Sequence, residues 1–331
     1  MLKQLFVITC LALIAGVVPV IAQDKDDDEV IKVNTRLVSV PVIVTGSDGR
    51  YVPNLQASDF VILEDGKQRT LDFFGTSDEP FTIALLIDTS HSTKPVLGDI
   101  KDAGKSLINL LRPKDQAAIV TFDREVTILC PLTSDREQLK KAVKDAAIPE
   151  PRGTVLRDAV FETVFNTFAG LSGRKALIVL TDGKDGGSRV AETDLLLRLQ
   201  ETDTLIYTVQ FRTEDKILQE KMLRTGTISR RDAARIMGGG PPSRAEQRTE
   251  KAADFLRNLS MVTAGRYFSS EAGQLKKTFE AILDELRLQY RLGFYPPDSS
   301  DKKAVHEVRV AVRRPNLNVR ARASYRLEED K

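Results

Sequence analysis

Three runs of apolar residues, Phe81–Ile87, Gln116–Phe122 and Ala176–Leu180, limit this chain's fold more than any other feature of it. None alternates polar with apolar residues, so each reads as a strand buried on both faces. Helical periodicity fills the intervals. Residues after Ile87 are helix-like as far as Leu111. Within 135–147, Leu139, Ala142, Val143 and Ala146 recur at the i, i+3, i+4, i+7 spacing of a helix face. Val155–Phe168 predicts a third helix, Thr193–Leu199 a fourth, and Thr204–Phe211 a further strand. Alternating strands and helices predict an α/β fold with a doubly wound, mostly parallel sheet covered on both faces.

The flanks read differently. Between Val30 and Phe74, Val38–Val44 and Phe60–Leu63 are strand-like, and turns fall at Ser47-Asp48-Gly49-Arg50 and Glu64-Asp65-Gly66-Lys67. The C-terminal part repeats the pattern, with strands at Gln289–Phe294, Val305–Arg313 and Val319–Arg326. Each flank is short for a core of its own. The reading is therefore an N-terminal β segment at 23–79, an α/β domain at 80–287 and a C-terminal β segment at 288–331, the two β segments sharing one sandwich-like domain. Residues 213–248, rich in Arg and holding Gly238-Gly239-Gly240-Pro241-Pro242, read as a flexible insertion. A helix at Ala252–Val262, a strand at Arg266–Ser269 and a helix at Glu271–Leu288 complete the α/β part.

Residues 1–22 carry the pattern of a secretory signal peptide. Lys3 precedes the apolar Leu5–Val20, and Val20-Ile21-Ala22 suits a cleavage site. A retained anchor is the alternative. The expected location is secreted or periplasmic, with no membrane span after cleavage. Lys and Arg total 49 against 47 Asp and Glu, a net charge of +2, which gives no dominant pull toward nucleic acid. Two cysteines and two histidines, His91 and His306, are too few for a Cys/His zinc framework. Removal of Cys10 with the leader would leave Cys130 alone, a buried small hydrophobe in this reading.

Chemistry gathers where the buried strands end. Phe81–Ile87 runs into Asp88-x-Ser90-x-Ser92. Gly153-Thr154 opens a helix and presents a hydroxyl. Ala176–Leu180 runs into Thr181-Asp182-Gly183. In open α/β sheets, ligands bind outside the carboxyl ends of the strands. This set resembles the metal-ion-dependent adhesion site (MIDAS) of von Willebrand factor A (VWA) domains, in order and in local context, over about residues 81–287. The flanking Ser58-Asp59-Phe60, Glu64-Asp65-Gly66 and Tyr290–Pro296 are similar to a secreted bacterial "VWFA-related" family found in acidobacteria. The resemblance implies a VWA, Rossmann-like fold whose Asp88, Ser90, Ser92, Thr154 and Asp182 hold Mg²⁺, or Mn²⁺ in its place, with Asp88 and Asp182 acting directly or through water. It also implies an open coordination position filled by an Asp or Glu carboxylate of a protein partner.

Each residue has a plainer reading. Asp88 and Ser90, or Thr154, could be helix N-caps, and Asp158 a first-turn charge favoured by the helix dipole. His91 occupies a free position of the motif, and imidazole suits softer metals than Mg²⁺. Asp123 could join the rim of the site or sit in a solvated loop. Gly183, Gly186 and Gly187 beside Asp185 lack the spacing of a phosphate-binding loop. The expected function is a non-enzymatic extracytoplasmic binding module. A metal-dependent hydrolase is the rival, since a metal with an open position activates water. No HExxH or Ser-His-Asp arrangement accompanies the site. A structural scaffold with a vestigial site is the third reading.

Overall fold

Strands from the two flanks pair with each other. The computed structural model describes residues 37–76, 79–150, 153–211, 244–297, 300–301 and 304–327. Before the α/β part come β1 (Val38–Gly46), β2 (Phe60–Glu64), β3 (Lys67–Arg69) and β4 (Phe73–Gly75). After it come β11 (Tyr290–Phe294), β12 (His306–Val312), β13 (Leu317–Ala321) and β14 (Ser324–Tyr325). They form two antiparallel four-stranded sheets, ordered β13-β1-β11-β4 and β14-β12-β2-β3, and each draws on both flanks. Alternation places Val38, Val40, Val42 and Val44 of β1 in a common core with Phe60, Ile62, Leu292 and Phe294. Pro41 has no amide hydrogen, yet it lies mid-strand. It is tolerated because β13 pairs only with Val42–Gly46, so one edge of β1 is unpaired at Pro41. The β2–β3 hairpin turns on Asp65 and Gly66, both at positive φ, the conformation such a tight turn requires.

The α/β part contains β5 (Phe81–Asp88), α1 (Leu97–Leu110), β6 (Gln116–Phe122), β7 (Val126–Thr133), α2 (Arg136–Asp145) and α3 (Leu156–Phe161). It continues through β8 (Arg174–Thr181), α4 (Glu192–Leu199), β9 (Leu205–Phe211), α5 (Arg244–Val262), β10 (Tyr267–Ser270) and α6 (Leu275–Arg287). The six strands run in the order β10-β9-β8-β5-β6-β7, all parallel except β7. On one face, Ile83, Leu85 and Ile87 of β5 pack with Ile100, Leu107, Leu139 and Phe279. On the other, Ala84 and Leu86 pack with Leu156, Leu195 and Leu256.

Several sequence expectations change. Val126–Thr133, unassigned as a strand although Val126–Leu129 is apolar, is the antiparallel edge strand β7, with Thr127, Ile128 and Pro131 exposed. The 155–168 helix is regular only to Phe161, then widens into a π-helix over Glu162–Thr167, where the Thr163 hydroxyl donates to the Ala159 carbonyl at 2.7 Å. Val319–Arg326 is not one strand. It breaks between β13 and β14, where Arg322 turns inward and donates to the Thr202 carbonyl at 2.9 Å. Of the expected insertion at 213–248, residues 213–243 lie outside the described residues, as does the leader. Residues 244–248 are the first turns of α5 rather than loop.

A buried carboxylate joins the sandwich to the α/β domain. Glu285 of α6 accepts hydrogen bonds from Tyr207 of β9 at 2.8 Å and from Tyr51 at 3.1 Å, and it pairs with Arg320 of β13. Burial, then the Glu285 charge, pushes the Tyr51 hydroxyl up to about 12. Removing one partner of a buried pair leaves the other uncompensated. Glu285→Ala should therefore destabilise the protein by about 3–5 kcal/mol, and Tyr207→Phe by about 1 kcal/mol. Urea unfolding of the variants checks this; an Ala variant as stable as wild type would remove the seam's assigned role.

Candidate metal centre

The connection from β5 leads to β6 on one side, whereas β8 lies on the other side of β5. Strand order reverses there, so the loops part and leave a crevice above the carboxyl ends of β5 and β8. Asp88 is the last residue of β5, and Ile87 pairs with Leu180, which brings Thr181 and Asp182 to the same level. The resulting cleft, about 1640 Å³, is lined in part by Ser90, His91, Ser92, Gly153, Thr154 and Lys184.

Asp88 is fully buried. One of its carboxylate oxygens accepts from the Ser90 amide at 2.8 Å and the other from the Thr181 hydroxyl at 2.6 Å. Burial pushes its carboxyl up from the usual 3.8 to about 6; the nearby Asp182 charge pushes the same way, and the Ser90 and Thr181 hydrogen bonds oppose both. The Ser90 and Ser92 hydroxyls lie 3.0 Å apart. The Thr154 hydroxyl lines the same cleft but donates to the Gly153 carbonyl at 2.7 Å; it makes no hydrogen bond to Asp88, Ser90, Ser92 or Asp182. Asp182 is only 5% exposed and accepts from the Lys184 ammonium at 2.7 Å, a partner the sequence reading did not assign. Gly183 must be glycine: its φ is +83°, and a Cβ there would lie 2.8 Å from that of Ala252 in α5.

Neighbouring acidic residues have other tasks. Asp185 accepts from the Arg157 amide at 2.9 Å and from Ser188, tying its loop to the start of α3. Asp158 accepts from the Arg189 and Val190 amides, a role beyond a first-turn charge. Asp115, buried, accepts from the Phe81 and Arg112 amides. The Asp123 side chain accepts from Glu125, and its carbonyl holds the Val155 amide at 2.7 Å, fixing the Thr154 loop to the end of β6. His91 is partly exposed, 3.9 Å from Glu150.

This donor set suits a hard cation. Two carboxylates whose charges oppose each other in a buried setting gain from a cation between them, and neutral hydroxyls complete an oxygen shell of the kind Mg²⁺ prefers. Among the described residues, no group of three or more His, Cys, Asp and Glu is placed to hold a metal.

The fold and this site define a class: a doubly wound α/β domain with an oxygen-rich cleft at its switch point. The family model for the von Willebrand factor type A domain matches residues 82–233, and the α/β domain has the VWA fold. Similar solved structures include an aerotolerance-related membrane protein from Bacteroides fragilis, at 16% identity over 62% of this chain and 98% of that one, TM-score 0.44. A von Willebrand factor type A protein from Catenulispora acidiphila is 12% identical over 89% of this chain and 75% of that one, TM-score 0.44. Proximal thread matrix protein 1 from the mussel byssus, described with a zinc-occupied MIDAS motif, is 16% identical over 67% of this chain and 49% of that one, TM-score 0.47. No curated protein matches the sequence.

Two outcomes follow from the geometry. The folded Asp88 binds its proton more tightly than the unfolded one, so ionising it lowers metal-free stability as pH rises from about 4 to about 6. In EDTA, the Tm advantage of Asp88→Asn over wild type should grow between pH 4 and pH 7; a flat difference counts against the assignment. Lys184, 44% exposed, neutralises Asp182 without metal. Lys184→Met should tighten Mg²⁺ binding roughly two- to fivefold, the scale of a partly exposed ion pair, as read by calorimetric titration.

Proposed function

We propose that this chain is a non-enzymatic, divalent-cation-dependent protein-binding module that acts outside the cytoplasm. The observation that carries the reading is the pair of buried carboxylates, Asp88 and Asp182, set beside the Ser90 and Ser92 hydroxyls where the strand order reverses. Asp88, Ser90, Ser92, Thr154 and Asp182 would hold Mg²⁺, or Mn²⁺ in its place. The bound ion would offer a Lewis-acidic position to an Asp or Glu carboxylate of the partner. Thr181 and the Ser90 amide orient Asp88 for this, and the loop fastened through Asp185 keeps Thr154 at the rim.

Three features support the details. The Lys3–Ala22 leader pattern favours export. No described helix is long and apolar enough to cross a membrane. His91, the imidazole at the cleft, lies beside Glu150, 3.9 Å away, and among the described residues it makes no hydrogen bond to the buried carboxylates. The flanking sandwich is the part that resembles the secreted "VWFA-related" family.

A ligand that binds only the folded state stabilises it, by about 2.7 kcal/mol at a hundred times its Kd. Thermal unfolding should therefore show a higher Tm in millimolar Mg²⁺ than in EDTA for wild type, and no such difference for Asp88→Ala. Pull-downs from native envelope extract should lose partners on chelation. A wild-type Tm indifferent to Mg²⁺, with partners retained in EDTA, would refute the metal-dependent reading in favour of a scaffold.

A further inference from the structure

A second cavity, about 570 Å³, lies at the other end of the α/β sheet from the candidate metal centre. Lys175 near the start of β8 and the Glu201–Asp203 loop before β9 form one side of it. Val38 and Ser39 of β1 and the turn between β13 and β14 form another. Both the α/β domain and the sandwich therefore supply its walls. Its volume falls within the range of small-molecule sites, ~300–1,000 Å³.

Arg322, from the β13–β14 turn, lines this cavity and is only 5% exposed. Its guanidinium donates to the Thr202 carbonyl at 2.9 Å, and its Nε meets no acceptor among the described residues. None of the described carboxylates forms an ion pair with it. Asp203, the acidic group whose charge reaches it, is paired with Lys175 at 2.7 Å. Burial lowers the Arg322 guanidinium from the usual 12.5 to about 10, and the Asp203 charge opposes this without cancelling it. A buried cation without a counter-charge is costly, and an anion beside it removes that cost.

With every ionic group counted at full charge, the cavity still carries an excess of positive charge. Lys175, Arg291, Arg322 and Arg326 line it, against Glu201 and Asp203. Ion pairs reaching beyond the lining do not close that gap. Glu79 pairs with Arg291, but Glu201 is shared between Arg326 and Arg198, which adds a cation for the added carboxylate. Behind Tyr325, its partner Glu64 is paired with Arg69. Other parts of the wall are apolar: Phe73, Phe165, Leu171 and Leu327 line the cavity and are half-buried. Covering such surface is favourable.

We propose that this cavity binds a small organic carboxylate and needs no metal to do so. The carboxylate oxygens accept from the Arg322 guanidinium, whose planar fork matches them. The apolar body of the ligand lies against Phe73 and Phe165. Inorganic phosphate supplies the charge but nothing to cover those rings, so it binds less tightly than a carboxylate with a ring or chain.

The test is calorimetric titration of the full chain with sodium benzoate, in EDTA so that the candidate metal centre takes no part. Benzoate should bind about tenfold more tightly than benzyl alcohol, which has the ring without the charge, the scale of hydrogen bonds to a charged group. It should also bind more tightly than phosphate. Arg322→Met should remove the preference for benzoate over benzyl alcohol. Should that variant fail to fold, Ala169→Trp serves: Ala169 is exposed at the cavity, and a ring there should obstruct benzoate while leaving Tm unchanged. Absence of benzoate binding, benzyl alcohol or phosphate binding as tightly, or a folded Arg322→Met or Ala169→Trp variant that binds like wild type overturns the proposal. The triple variant Glu328→Gln/Glu329→Gln/Asp330→Asn separates a free ligand from the chain's own carboxylates. Unchanged affinity supports the proposal, and benzoate binding that appears only in the triple variant overturns it. None of these outcomes bears on the Mg²⁺-dependent Tm shift, which tests the metal reading separately.

Discussion

Everything at the candidate site depends on β5 being enclosed. It has β6 on one edge, β8 on the other and apolar side chains against both faces. No solvent reaches its last residue, so the Asp88 carboxylate ends a strand in a place where an isolated charge is costly. Among the described residues, none relieves that cost with a salt bridge at Asp88. The described residues supply hydrogen bonds from Thr181 and from Ser90, and bring a second carboxylate near by. Burying opposed carboxylates is unfavourable for stability, and a positive charge placed between them would remove the local repulsion.

The sandwich constrains the same domain from below. Both of its sheets require strands that precede and follow the α/β domain, so the sandwich closes only when the two ends of that domain stand side by side. Glu285 is placed where this condition is met: its partners Tyr207, Tyr51 and Arg320 come from the α/β sheet, the N-terminal flank and the C-terminal flank. A buried ionic cluster of this kind contributes less to net stability than to the choice of one docking geometry, because every alternative would leave one of its members unpaired. A second tie, the Arg326 amide on the Gln200 carbonyl, lies beside the Arg322 contact to Thr202.

What the sequence reveals of this arrangement follows physical lines. β5 and β8 are legible because burial on two faces leaves no polar position in their central runs, and the oxygen-bearing residues after them are legible because parallel strands deliver ligands at one end. β7 is less so: its apolar Val126–Leu129 stretch is short and is followed by Pro131, and at this sheet edge Ile128 is 51% exposed. The start of α5 is equally hidden, since Gln247, Arg248, Glu250 and Lys251 form a solvated helical stretch without an apolar stripe. Periodicity also cannot register the extra residue of a π-turn at Glu162–Thr167. At the site, Thr181 is visible as part of Thr181-Asp182-Gly183, but its hydrogen bond to Asp88 spans 93 positions and exists only through the β5–β8 register.

Lys184 shows how the two carboxylates are kept unequal. Asp182 has a cation at 2.7 Å on its solvent side, while Asp88, deeper, has none among the described residues. The outer charge is therefore compensated by a side chain free to swing into water, and the inner one is left to burial and hydrogen bonds. Were Asp88 and Asp182 to hold a divalent ion, the Lys184 ammonium would compete with it for the Asp182 oxygens. A lysine at this position would therefore lower affinity for the ion, and it would stabilise the metal-free form by sparing Asp88 part of the repulsion of a second buried carboxylate.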